Sequence, residues 1–262
     1  MPKIKIDLRE TFKQTSDWDS PMPLDLRHRW VSNFWLIEQL RGLKFTRAIM
    51  PAEAINSNMR LLTSVDAAKP SLIMGCWGGF KLRDGTWSNQ LVLGRCLLSK
   101  NESIPKSELD ALCGGSNMSW VVRLALADWV TEDYLFGDSK ISLCWLTSEK
   151  LRLELFHRNR VLQIRRGTDL SHVFHVRTDV NPADCGTRPD KVKLSDLGPD
   201  SKWECGENWM NLDIEDAVSQ GFIKPVSELR LSKEFEEEYK EGLVFGDRDE
   251  VFLHAQQNLS VH

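Results

Sequence analysis

MRLLTSVDAAKPSLIMGCWGGFKLRDGTWSNQLVLGRCLL, residues 59–98, is the stretch that decides the fold class. Three runs within it, Met59–Val65, Ser71–Phe80 and Trp87–Leu98, are dense in β-branched, aromatic and aliphatic residues. Arg83-Asp84-Gly85 separates the last two. Asp-Gly readily takes up positive φ, so this tripeptide reads as a hairpin turn. The three runs therefore predict consecutive strands in an antiparallel meander. The first run ends on Asp66, a carboxylate placed at a strand end.

Reading C-terminally, a helical segment follows Ile104-Pro105 and carries Leu109, Leu112, Val121, Val122, Leu124 and Leu126 to about Trp129. Glu108 lies near its start. Gly114-Gly115 interrupts it and marks close packing against the sheet. Tyr134–Gly137 reads as a short buried strand closed by Asp138, and Ser139–Leu146 and Leu151–Arg166 as helices. His172–Arg177 reads as another strand, and Pro182–Arg188 as a last short helix entered through Asn181-Pro182-Ala183-Asp184. The order β-β-β-α-β-α-α-β-α predicts an α/β fold, a mixed sheet with three antiparallel strands followed by parallel ones and helices on its faces.

Reading N-terminally, Leu24, Leu26, Trp30, Val31, Phe34, Trp35, Ile37, Leu40 and Leu43 form a broad helical stripe from Pro21, with Asp19 or Ser20 as candidate caps. Residues 1–20 show no strong period, and 44–58 reads as a connection. The expected division is a connection segment with one amphipathic helix over 1–58, a catalytic-size α/β domain over 59–190, and an acidic extension over 191–262 that includes the charge run Glu234–Glu241.

The 41% apolar content supports a proper core, which excludes global disorder. No stretch approaches the ~20 apolar residues of a membrane span. Six cysteines without a CxxC pair point to reduced, buried thiols of an intracellular protein rather than a disulfide frame or zinc site. The net charge of −4 divides unevenly. Residues 211–262 hold 12 acids against 5 Lys/Arg, a balance of −7, and subtracting it from −4 leaves +3 on the rest. From Arg152 to Arg166 there are 5 arginines and 1 acid. Such a helix can follow a phosphate backbone, or it can simply present a solvated basic face.

Asp66, Glu108, Asp138 and Asp184 stand at strand ends and helix first turns. Such positions bring carboxylates from distant parts of a chain to one spot, which is how proteins gather hard oxygen ligands for Mg²⁺. Solvated strand-end aspartates are also common, and position alone leaves both readings open. The flanking residues decide. LTSVDAAKPSLIMGCW, SIPKSELDAL and HVRTDVNPADCGTR resemble the reverse-transcriptase-associated RNase H domain of BEL/Pao-type LTR retrotransposons. DWDSPMPLDLRHRW resembles the connection preceding that domain, with FTRAI close to its end. FGDSKISLCWL, FHRNRVLQI and GPDSKWECGENWM resemble further segments, and the similarity spans roughly residues 17–210. Departures are Lys106-Ser107, where the family often has Arg and an aliphatic residue, and Gly206-Glu207, where Gly-Pro is usual.

The resemblance implies an RNase H-like fold and an endonuclease that hydrolyses RNA in RNA–DNA hybrids with two Mg²⁺ ions, Mn²⁺ substituting. It implies Asp66, Glu108, Asp138 and Asp184 as catalytic metal ligands. Asp66 would bridge both ions, Glu108 and Asp138 would bind near the leaving group, and Asp184 would bind near the attacking water. It further implies the polymerase domain of the same polyprotein as partner, no membrane, and a cytoplasmic virus-like particle as setting. Arg158, Arg165, Arg166 and Lys106 are the candidate nucleic-acid contacts. Trp77 and Trp87 are weaker ones. His175, between Phe174 and Val176, reads as structural, and Asn181 as the cap that fixes Asp184. Ser139 and Cys144 lack a motif-placed histidine base and are poor nucleophiles. An integrase order of Asp, Asp, Glu is disfavoured because no Glu opens a helix after Asp138. The non-enzymatic alternative is a catalytically weak or domesticated module that binds nucleic acid or serves as a connection.

Overall fold

Every residue from Met59 to Asp66 is buried, as the central strand of a sheet covered on both faces must be. The computed structural model describes residues 2–15, 17, 19–100, 103–148, 153–187 and 193–231. They form one mixed sheet of six strands: β1 (Ala54–Ala68), β2 (Ser71–Leu82), β3 (Trp87–Leu98), β4 (Val130–Gly137), β5 (Val173–Val176) and β6 (Ile223–Pro225). Their order is β3-β2-β1-β4-β5-β6. β1, β2 and β3 form the expected antiparallel meander, β4 runs parallel to β1, and β5 runs parallel to β4. β6 closes the far edge antiparallel to β5.

Side chains alternate across a strand. Leu61 and Val65 of β1 therefore enter one core with Met74, Leu109, Leu112 and Ile164, while Leu62 enters the other with Trp77, Phe136, Trp209 and Ile223. The first core lies under α3 (Ile104–Ala125), α4 (Lys140–Thr147) and α5 (Leu155–Gly167). Gly114-Gly115 makes the close approach foreseen from sequence. A Cβ on Gly115 would sit 2.4 Å from Val65 Cγ1, and one on Gly114 would sit 2.6 Å from Met74 Sδ. After α6 (Asp184–Thr187), the segment from residue 193 closes the second core with α7 (Lys202–Cys205) and α8 (Ile214–Ser219).

Arg60 locks this second layer to the sheet. It is 2% exposed, donates to the carbonyls of Leu212 (2.8 Å) and Met210, and lies 3.8 Å from the centre of the Trp87 ring. Trp87 in turn donates to Asp213 at 2.7 Å, and Trp77 is fully buried and donates to the Trp203 carbonyl. Trp77 is thus sealed in the core, out of reach of a hybrid, while Trp87 is half-buried against Arg60.

Three differences from the expected layout have physical causes. The sheet does not stop at residue 190. Trp209, Met210, Ala217, Ile223, Val226 and Leu229 are buried against it, so the extension's first half is part of the domain; the charge run Glu234–Glu241 lies outside the described residues. A helix, α1 (Pro2–Gln14), occupies the N-terminal segment, with Ile4, Leu8 and Phe12 one turn apart, and its buried contact to the next helix is polar. Asp7, 2% exposed, pairs with Arg29 at 2.9 Å and accepts from Asn33 at 2.8 Å. Both partners lie on α2 (Leu24–Leu40), which opens after Pro23 without a side-chain cap, rather than at Asp19 or Ser20. This helical pair is tied to the C-terminal end of β3 through Lys5 to the Cys96 carbonyl and Arg9 to the Ser99 carbonyl.

Candidate active site

Asp66 reaches the site from near the C-terminal end of β1. Its Oδ1 accepts from the Ala67 amide at 2.8 Å, and its Oδ2 accepts from the Thr187 hydroxyl. Glu108 sits in the second turn of α3, beside Ser142 Oγ at 3.5 Å. Asp138 follows β4 directly, with the side chains of Thr178 and Asn181 hydrogen-bonded to it. Asp184 opens α6. The structure brings Asp66, Glu108 and Asp138 around one shallow depression with Ala67, Gly137 and Ser139, and Asp184 is close enough to act electrostatically on Asp66 and Asp138.

Burial dominates the electrostatics. It pushes the Asp66 carboxyl up to about 7, with repulsion from Asp138 and Asp184 adding to it and the Thr187 hydroxyl opposing it. Glu108 is likewise raised to about 7 by burial, with Asp138 and Asp66 contributing and the Ser139 and Ser142 hydroxyls opposing. Asp138 is raised by burial and by Asp184, against hydrogen bonds from Thr178 and Asn181. The neighbours that stabilise the charged forms are hydroxyls, an amide side chain and backbone N–H groups, and the carboxylates chiefly repel one another. Repulsion of this kind between buried carboxylates is what a bound cation would relieve.

Asn181 is the anchor of the last acid. Its Oδ1 accepts from Ser64 Oγ (2.7 Å) and the Ala183 amide (3.1 Å), and its Nδ2 donates to the Val65 carbonyl (3.0 Å). One buried side chain thus pins the Asn-Pro-Ala-Asp turn to β1 beside Asp66, the capping role read from sequence. Thr187 escaped sequence reading, although its place three residues after Asp184, one helical turn, was a usable signal. Ser139 is the cap of α4, accepting from the Ser142 amide at 3.3 Å.

His175, on β5 opposite Gly137, places Nε2 3.1 Å from the Asp138 carbonyl oxygen. A carbonyl only accepts, so Nε2 carries the proton. Burial pushes this imidazole down to about 4, and nearby Lys140 pushes the same way, so it is neutral at pH 7. It holds the start of the Asp138 turn.

The four basic candidates separate. Arg165 donates to the Leu146 carbonyl at 2.5 and 2.9 Å and to Ser148 at 2.9 Å, bracing α5 against the end of α4. Arg166 is exposed, Arg158 half-buried, and Lys106 half-buried in the first turn of α3, two residues before Glu108. Arg160 pairs with Asp110 at 2.7 Å, linking α5 to α3. Arg165→Ala is therefore expected to lower stability by about 2 kcal/mol through the lost charged hydrogen bonds, with an unchanged salt slope of nucleic-acid binding. Thermal unfolding and binding at several salt concentrations read the two separately.

Elsewhere among the described residues, Asp200, Glu204 and Cys205 bring donor atoms within 4.8 Å of one another. Local hydrogen bonding accounts for this cluster. Ser201 Oγ accepts from the Glu204 amide while Glu204 Oε2 accepts from the Asp200 amide at 2.7 Å, the two capping bonds of α7. All six cysteines are free thiols. No helix among the described residues is long and apolar enough to cross a membrane.

Comparison with known families matches residues 1–139 to the Pao retrotransposon-like RNaseH-like domain. No curated protein matches the chain. Among solved structures, one similar chain is the N-terminal RNase H domain of a Mycobacterium tuberculosis protein, solved as a fusion with maltose-binding protein. It shares 12% identity at a TM-score of 0.35 over 52% of this chain and 94% of its own. Another is RNase H1 from the halophilic archaeon Halobacterium salinarum, at 17% identity and a TM-score of 0.31, over 48% of this chain and 90% of its own.

Proposed function

We propose that this chain, which belongs to the Pao retrotransposon-like RNaseH-like domain family, is a metal-dependent ribonuclease H that hydrolyses the RNA strand of RNA–DNA hybrids. One observation carries the reading: Asp66, Glu108 and Asp138 line one depression with Asp184 in electrostatic reach, and two of the four are raised to about 7 by burial and repulsion. Their donors are hard oxygens, which suit Mg²⁺ or Mn²⁺.

Asp66 would be the carboxylate shared between the ions. Glu108 and Asp138 would hold one ion and Asp184 the other. Bound ions of this kind supply positive charge that acidifies an attacking water and offsets charge on the leaving 3′-oxygen. The protein's own contribution is positioning. Thr187, Asn181, Thr178 and Ser142 fix the carboxylates through hydroxyl and amide hydrogen bonds, and His175 holds the Asp138 turn. In the reaction water adds to phosphorus, the P–O3′ bond breaks, and the water's proton leaves to solvent while the 3′-oxygen is protonated. Hybrid recognition would rest on 2′-hydroxyl and groove-shape contacts. Arg166, Arg158 and Lys106 are the candidate phosphate contacts. The reverse-transcriptase polymerase domain is the proposed partner, in a cytoplasmic particle.

Incubating the chain with Mg²⁺ and a labelled RNA–DNA hybrid, beside duplex DNA and single-stranded RNA, tests the assignment. Cleavage confined to the RNA of the hybrid supports it. Hybrid binding without cleavage at any Mg²⁺ or Mn²⁺ concentration points instead to a module that only binds nucleic acid.

Thr187→Val keeps the side chain's shape and removes the proton donated to Asp66. Groups that orient metal ligands typically contribute 10–100-fold in affinity, so Mn²⁺ affinity measured by calorimetry is expected to fall about 10-fold, with Thr187→Ser recovering most of it. Equal affinity in all three proteins would remove Thr187 from this role.

A further inference from the structure

α2 carries apolar side chains on both of its sides. Its inward face buries Leu26 and Asn33 fully, and Asn33 and Arg29 engage Asp7. Its outward face carries Leu24 (70% exposed), Val31 (66%), Phe34 (61%) and Trp35 (68%). At 100° per residue, Leu24, Val31 and Trp35 fall within about 40° of one another, roughly opposite Asn33, and Phe34 flanks them. Scattered exposed apolar residues are ordinary, but two aromatic and two aliphatic side chains on one stripe mark an interaction surface.

We propose that this stripe is the contact between two copies of the chain, paired antiparallel along α2. The stripe is self-complementary in charge as well as shape. With the dyad between Ser32 and Asn33, Val31 of one copy lies opposite Phe34 of the other. The same register sets Arg27 opposite Glu38, and Leu24 against the aliphatic stem of Arg41. Arg27 spends its Nε on the Met22 carbonyl, which leaves its outer nitrogens available, and Glu38 is 60% exposed beside Arg41. A parallel pair would instead set like residues side by side, Arg27 on Arg27 and Glu38 on Glu38. Isologous contacts count every residue twice. The four apolar side chains of each copy therefore bring on the order of 1,000 Å² together, at the threshold for a specific, reversible dimer. The interface lies on α2, and its existence does not depend on the catalytic assignment.

Sedimentation of the full chain over a concentration series tests this. The mass is expected to rise from one chain towards two at roughly 10–100 µM, as a small apolar interface allows. Val31→Glu and Trp35→Glu, both at exposed positions, should stay monomeric with unchanged circular dichroism. Arg27→Glu and Glu38→Arg should each weaken association, because each sets like charges opposite one another twice per dimer. An equimolar mixture of these two variants should associate again, since every cross-pair then joins opposite charges. A wild-type chain that stays monomeric at 100 µM overturns the proposal, as does dimerisation of the glutamate variants or a mixture that fails to recover.

Discussion

Asp138→Asn is expected to abolish Mg²⁺-dependent cleavage of an RNA–DNA hybrid, lowering the rate by about 10³-fold or more, the scale seen when one electrostatic group of a preorganised site is lost. The amide keeps the shape and one acceptor oxygen but not the negative charge that a divalent cation needs. The fold should not suffer. Burial raises the Asp138 carboxyl and repulsion from Asp184 adds to it, while Asp138 in turn raises Asp66 and Glu108, so neutralising it relieves both burial cost and repulsion. The melting temperature without metal should equal or exceed that of the wild type, while the stabilisation on adding Mn²⁺ should shrink. Rate and melting curve together separate the outcomes. Wild-type cleavage would strike Asp138 from the ligand set, and a lower melting temperature without metal would show that the site is held together by something other than the repulsion described.

The largest expected loss of stability is at Gly115. A Cβ there would lie 2.4 Å from Val65 Cγ1, 3.3 Å from Leu135 and 3.4 Å from Thr63, all in the central pair β1 and β4. None can move outward, because β1 is covered on both faces. Gly115→Leu should therefore push α3 off the sheet, at a cost of about 3 kcal/mol or more, the upper range for overpacking. That corresponds to roughly 10 °C in melting temperature for a domain of this size. Glu108 rides on the same helix, so metal affinity should fall with stability. A leucine tolerated without change in either measurement would mean that α3 does not sit where its contacts place it.

What the chain declares by itself is whatever short-range chemistry encodes. The meander follows from apolar runs and one Asp-Gly turn, the approach of α3 from Gly114-Gly115, and the positions of the four acids from their places at element ends. Family resemblance then supplied the expectation that these acids form one site. The tertiary structure decided what depends on partners far apart in sequence. Thr187 donates to a carboxylate 121 residues away, and Arg60 binds a carbonyl 152 residues away. No periodicity marks either side chain. β6 is three residues long, too short for an alternating pattern, and acquires its identity only by pairing with β5. α1 is anchored to α2 by the Asp7–Arg29–Asn33 cluster, polar partners that no apolar period marks. Charge counting finds a run of arginines along α5, yet the carbonyls of Leu146 and Ser148 take one of them, and Asp110 another. Hydrophobic period is local and readable from the chain; the pairing of a polar group belongs to whichever atom the fold brings opposite it.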